Sequence, residues 1–150
     1  MADGAIRILG AYKVELTDDL FQRAMELKYG GIELSKRQRL EAERDVRNEL
    51  SSIVLIEAVV ENPDDRFDAG DFTQPGSDQV AYDEAFLSPD GTSVISRLRA
   101  PDTQPLRLTF FLHFFDPKKP LLTSYREVPV PPVQRMPERL KSLVPYEPVT

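Results

Sequence analysis

The chain has 150 residues, 41% of them hydrophobic and 29% charged, with a formal net charge of −6. This is the composition of one globular domain with a core of its own, and it excludes a disordered chain. No cysteine is present, so disulfides, thiolate zinc sites and a catalytic thiol are excluded.

The charge is unevenly spread. Residues 61–90 carry nine acidic groups against Arg66 alone, a local net charge of −8, whereas residues 91–150 carry nine basic and five acidic groups. Such an asymmetry favours oriented association with a charged protein partner or a second copy; it also suits a well-solvated loop. The negative total and the acids interleaved with Lys36, Arg37 and Arg39 argue against nucleic acid. The opening residues lack the pattern of a signal peptide, and no apolar run approaches a membrane span. A soluble, cytoplasmic protein with no membrane association is expected.

Residues 6–16 alternate as a half-buried strand, with Ile6, Ile8, Tyr12, Val14 and Leu16 assigned to one face. Gly10 interrupts that face and predicts a bulge or a close backbone approach. Thr17-Asp18-Asp19 opens a helix with an apolar stripe of Leu20, Phe21, Ala24 and Leu27, ended by Gly30-Gly31. Ser35 and Gln38 form a capping box for a second helix, whose narrow stripe is Ala42, Val46, Leu50 and Ile53. Residues 53–61 then read as a buried strand. Glu57 lies on its apolar face and requires a partner or a raised pKa.

Residues 61–79 are a long loop with turn chemistry, pinned by Phe67 and Phe72. Pro89-Asp90-Gly91 predicts a hairpin between residues 79–87 and 92–98. The central strand is 106–115. Its even positions are wholly apolar, and its odd positions are Arg107, Thr109, Phe111, His113 and Phe115, a face expected to be half covered. Residues 121–130 are expected to return as its antiparallel partner, with Pro129 at an edge or strand end.

Ten of the thirteen prolines fall at or after Pro101. Residues 1–128 are therefore assigned to one α+β domain and 129–150 to a proline-rich arm with a short helix over 137–143. The expected fold is a mainly antiparallel, curved sheet of about six strands with the two helices on one face. A β-sandwich with a helical insertion is the alternative.

Chemistry-bearing patterns are few. There is no phosphate loop, paired-histidine metal motif or nucleophile elbow, so no catalytic residue is assigned and no cofactor is expected. His113 is the only histidine. If His113, Glu57 and Asp83 or Glu84 shared a face, they could bind a small molecule or perform acid–base chemistry; a satisfied, structural histidine on a half-buried face is the reading favoured over it. Asp64, Asp65, Asp68 and Asp71 are weak candidates for a divalent cation, but their spacing does not match the calcium-loop pattern, and no metal site is assigned. The apolar groups of the arm, Val130, Val133, Met136, Leu140, Leu143 and Tyr146, are the candidate partner-binding surface. The function expected is a non-enzymatic protein–protein interaction domain, a small adaptor or assembly subunit. The alternative is a small-molecule-binding protein or simple acid–base enzyme with a pocket near His113 and Glu57.

Overall fold

The structure, a computed structural model, describes residues 6–61, 72–76, 81–96, 105–123 and 127–145. Its elements are β1 (Ile6–Lys13), α1 (Asp18–Tyr29), α2 (Lys36–Ser51), β2 (Val54–Val60), β3 (Tyr82–Leu87), β4 (Val94–Ile95), β5 (Leu106–Leu112), β6 (Leu121–Leu122), β7 (Glu127–Val128), β8 (Val133–Arg135) and a 3-10 turn at Glu138–Leu140. Six strands form one sheet in the order β4-β3-β5-β2-β1-β8. Every pairing in it is antiparallel except that of β8 with β1. Two helices against a mostly antiparallel sheet make the α+β architecture expected from the sequence.

The sheet is covered on both faces. One face packs Ile8, Ala11, Ile56, Ala58, Leu108 and Phe110 against Phe72, Leu121 and Val128. The Phe72 and Phe110 rings stack at 4.8 Å. The other face packs Tyr12, Val14, Leu55 and Phe111 against Leu20, Phe21 and Ala24 of α1, Val46 and Leu50 of α2, and Met136 and Leu140 near the C-terminus. Both helices therefore lie on one side. Each is capped as its sequence dictates: Thr17 accepts from the Leu20 N–H, and Ser35 and Gln38 bond reciprocally. The two helices are joined further by Arg47, whose guanidinium lies 4.3 Å over the Phe21 ring.

The structure corrects several expectations. A β-bulge between Ile8 and Gly10 shifts the register of β1 by one residue. Ile6 and Ile8 consequently face one core, while Tyr12 and Val14 face the other. The strand stops at Lys13, and Leu16 is exposed. Leu27, assigned to the stripe of α1, is 65% exposed. The odd face of β5 is more covered than expected: Thr109 and Phe111 are buried, Phe111 in the helix-side core, while Arg107 stays partly exposed. β5 ends at Leu112; Phe114 turns out at φ +50° with its ring exposed.

The described residues of 121–130 do not pair with β5, whose neighbours are β2 and β3. β6 and β7 instead pair with each other as a separate two-stranded ribbon. The arm is also built into the domain: β8 extends the sheet, Leu140 is fully buried, and Leu143 packs beside it. Prolines flank β8 at Pro132 and Pro137 but leave its three residues free to pair. The expected helix over 137–143 is only the 3-10 turn.

Candidate functional site

β2 carries Glu57 into the helix-side core, where the residue is wholly inaccessible to solvent. The two neighbouring strands, β1 and β5, and the C-terminal 3-10 turn converge on it. Arg107 of β5 donates from Nε to Oε2 at 2.9 Å, and its Nη2 lies in ion-pair contact with the same oxygen at 2.9 Å. Arg139 makes a bidentate fork, Nη2 to Oε1 at 2.6 Å and Nη1 to Oε2 at 2.7 Å. The Tyr12 hydroxyl of β1 donates to Oε1 at 3.0 Å. One carboxylate thus faces two guanidinium cations. Backbone carbonyls take up the surplus positive charge: Pro89 accepts from Arg107 and Gly91 from Arg139, both at 3.1 Å.

Two glycines make room for this cluster. Gly10 stands opposite Glu57, and a Cβ there would overlap the Tyr12 phenol that reaches across to the carboxylate. Gly91 holds φ +76° in the β3–β4 turn, and a Cβ there would overlap the Arg107 guanidinium. Asp90 organises the same turn by accepting from the Ser88 and Thr92 hydroxyls and the Thr92 N–H. These hydrogen bonds, that of Ser88 foremost, hold its carboxyl down at about 2.

The electrostatics are those of a structural clamp. Burial pushes the Glu57 carboxyl up, but the hydrogen bonds and charges of Arg139 and Arg107 outweigh it and hold it below its ordinary range. Burial first, and then the Glu57 charge, raise the Tyr12 phenol. Its hydrogen bond to Glu57 raises Arg139. A carboxylate with every neighbouring donor engaged and no solvent access has no lone pair directed at a substrate.

His113 lies elsewhere. Register pairs Glu57 with Thr109, four residues before His113, which lies just past the end of β5. At the rise of a strand this separates the two by roughly 13 Å, so they form no shared site. The His113 ring stacks on Tyr82 at 4.7 Å, and its Nε2 lies 3.2 Å from the Tyr82 hydroxyl and 3.1 Å from Glu49 Oε1. Lys28 pairs with the other oxygen of Glu49. Burial, and then the Lys28 charge, lower the His113 pKa, while Asp83 works weakly in the opposite direction. Of the residues grouped from sequence, His113 and the exposed Asp83 are therefore electrostatic neighbours and Glu57 is separate.

The remaining candidates divide. Asp64, Asp65, Asp68, Asp71 and Tyr146 lie outside the described residues. Among the described residues no group of three or more carboxylates and imidazole is arranged to hold a metal, and no helix is long and apolar enough to cross a membrane. Met136 and Leu140 face the domain's own core, and Val130 and Leu143 pack at its margins; Val133 is exposed.

Among the described residues, clefts open at Met25, Tyr29 and Ile32, at Val14, Leu16 and Met136, and at Ile8, Val128 and Val130. None of these three is lined by Glu57 or His113. Sequence reasoning did not single out Arg107, Arg139, Tyr12, Glu49 or Tyr82. Arg107 carried a signal, because a cation on the buried face of a central strand implies an anion opposite. Arg139 carried none, since nothing local ties a proline-rich segment to a strand 82 residues away. No protein-family model, curated protein or solved structure matches this chain.

Proposed function

We propose that this chain is a non-enzymatic protein–protein interaction domain, of adaptor or assembly-subunit type, that engages its partner along the β8 edge of the sheet. The observation that carries this reading is the state of that edge. β8 pairs with β1 on one side, no described strand lies on the other, and Val133, Gln134 and Arg135 are all exposed. An unpaired edge offers backbone N–H and C=O groups to an added strand, a recurrent mode of peptide recognition. The groups that could have served catalysis, Glu57 and His113, are instead engaged within the domain.

The test is site-specific cross-linking in the native cell. A photoreactive residue is placed at Gln134, and another at Lys118 in the β5–β6 turn as a control. The expected result is one protein cross-linked in stoichiometric amount from position 134 and not from 118. Equal recovery from both positions, or none from 134 together with a monomer by light scattering, overturns the reading.

A further inference from the structure

We infer that the partner segment is an extended, acidic stretch of polypeptide that adds beside β8 and seats an apolar side chain in the cleft between β1 and the C-terminal segment; this rests on the interaction-domain reading above. The cleft has a volume of about 380 Å³. Val14, Leu16 and Met136 form its apolar wall, and Leu16 is 42% exposed although it adjoins a buried core. Lys13 and Arg135 supply its positive charge, since Lys141, also in the lining, is already paired. Glu15 is the only acid in the lining, and Glu138 is paired with Lys141 at 2.6 Å.

Lys13 and Arg135 distinguish this cleft from an ordinary solvated surface. They are register partners across the parallel β1–β8 pair, so two like charges stand on adjacent strands. Such a pair is repulsive, and among the described residues neither cation is in an ion pair, although the Glu138 carboxylate lies within electrostatic reach of Arg135. An anion laid across them relieves that repulsion. The chain as a whole carries −6, so the positive cleft is a local feature rather than a general basic character.

The open edge supplies backbone hydrogen bonds to an extended chain, the cleft accepts a side chain, and the cations select acids beside it. Pairing β8 with the β8 of a second copy would bring two Lys13–Arg135 pairs together, which the same charges disfavour.

The experiment uses the full-length protein and a short fluorescein-labelled probe peptide in which Asp and Glu alternate with Val and Leu. Fluorescence anisotropy should give saturable binding that weakens as salt is raised. The double variant Lys13→Glu/Arg135→Glu should bind roughly tenfold or more weakly at an unchanged melting temperature. Leu16→Ser should also weaken binding, and a probe with Lys in place of the acids should bind the double variant better than the parent.

No saturable binding, equal binding by the double variant, or binding only to phosphatidylserine vesicles overturns the inference. Self-association abolished by the double variant would also overturn it, assigning the cleft to a second copy. A native partner that cross-links from Gln134 yet ignores the charge reversal removes the acidic chemistry and leaves the interaction reading standing; absence of any such partner removes that reading itself.

Discussion

Glu57 and Glu49 are both carboxylates beside basic groups, but they sit in different dielectric surroundings. Glu57 is at 0% exposure and holds three side chains from three separate parts of the chain. Glu49 is partly exposed on α2 and joins Lys28, itself 43% exposed, to His113. Screening leaves an exposed pair worth little, whereas removing a partner from a buried carboxylate leaves a charge that water cannot reach. The first cluster therefore fastens the fold, and the second adjusts its rim.

The largest effect expected on this contrast comes from deleting residues 133–150. The deletion removes β8, Met136, Leu140 and the Arg139 fork in one step. The truncated chain should show no cooperative melt; a sharp transition near that of the full chain would show that the C-terminal segment is dispensable.

Arg139→Ala isolates the clamp within that deletion. It should cost roughly 3 to 5 kcal/mol in urea unfolding, as expected when a buried carboxylate loses a partner. A cost similar to that of Lys28→Ala, expected to be about 1 kcal/mol or less, would erase the distinction between the two clusters.

Phe110 and Phe111 compare the two cores directly, since each is buried and they face opposite sides of β5. Each Phe→Ala change should cost roughly 3 to 5 kcal/mol. A much smaller loss at Phe111 would mean that the helices cover the sheet only loosely.

Gly91→Val should cost on the order of 1 kcal/mol or more, because it strains a positive-φ turn and displaces Arg107. Adding Arg107→Ala should remove part of that penalty, and strict additivity would separate the turn from the clamp.

The smallest effect concerns pH. The folded pKa of His113 is depressed below its ordinary 6.5, so the unfolded chain binds more protons in that region. Its stabilising contribution is present above 6.5 and is lost as pH falls through the lower folded value. Glu57 is also depressed, but from 4.5, so its contribution is present above 4.5 and is lost only in stronger acid. Melting temperatures taken across this range should show two separate declines. His113→Gln should remove the upper one and leave the lower; persistence of both would exclude His113 as the source of the upper decline.

Local rules were legible in the chain where their causes were local. The capping box at Ser35 and Gln38, the Thr17 cap, the turn at Gly91 and the apolar even face of β5 each depend on residues a few positions apart. The α+β class follows from the same periodicities, and Glu57 could be marked as a carboxylate in need of partners because it interrupts an apolar face.

What the sequence by itself determined was therefore the kinds and order of the elements from β1 to β5, and one buried charge in need of partners. The tertiary structure alone decided which strands neighbour one another, that the Gly10 bulge divides β1 between two cores, and that Arg139 closes over Glu57 from 82 residues away. The reason is physical. Capping and alternation are set within a few residues, whereas register and the partners of a buried ion are fixed only when distant segments exclude water together.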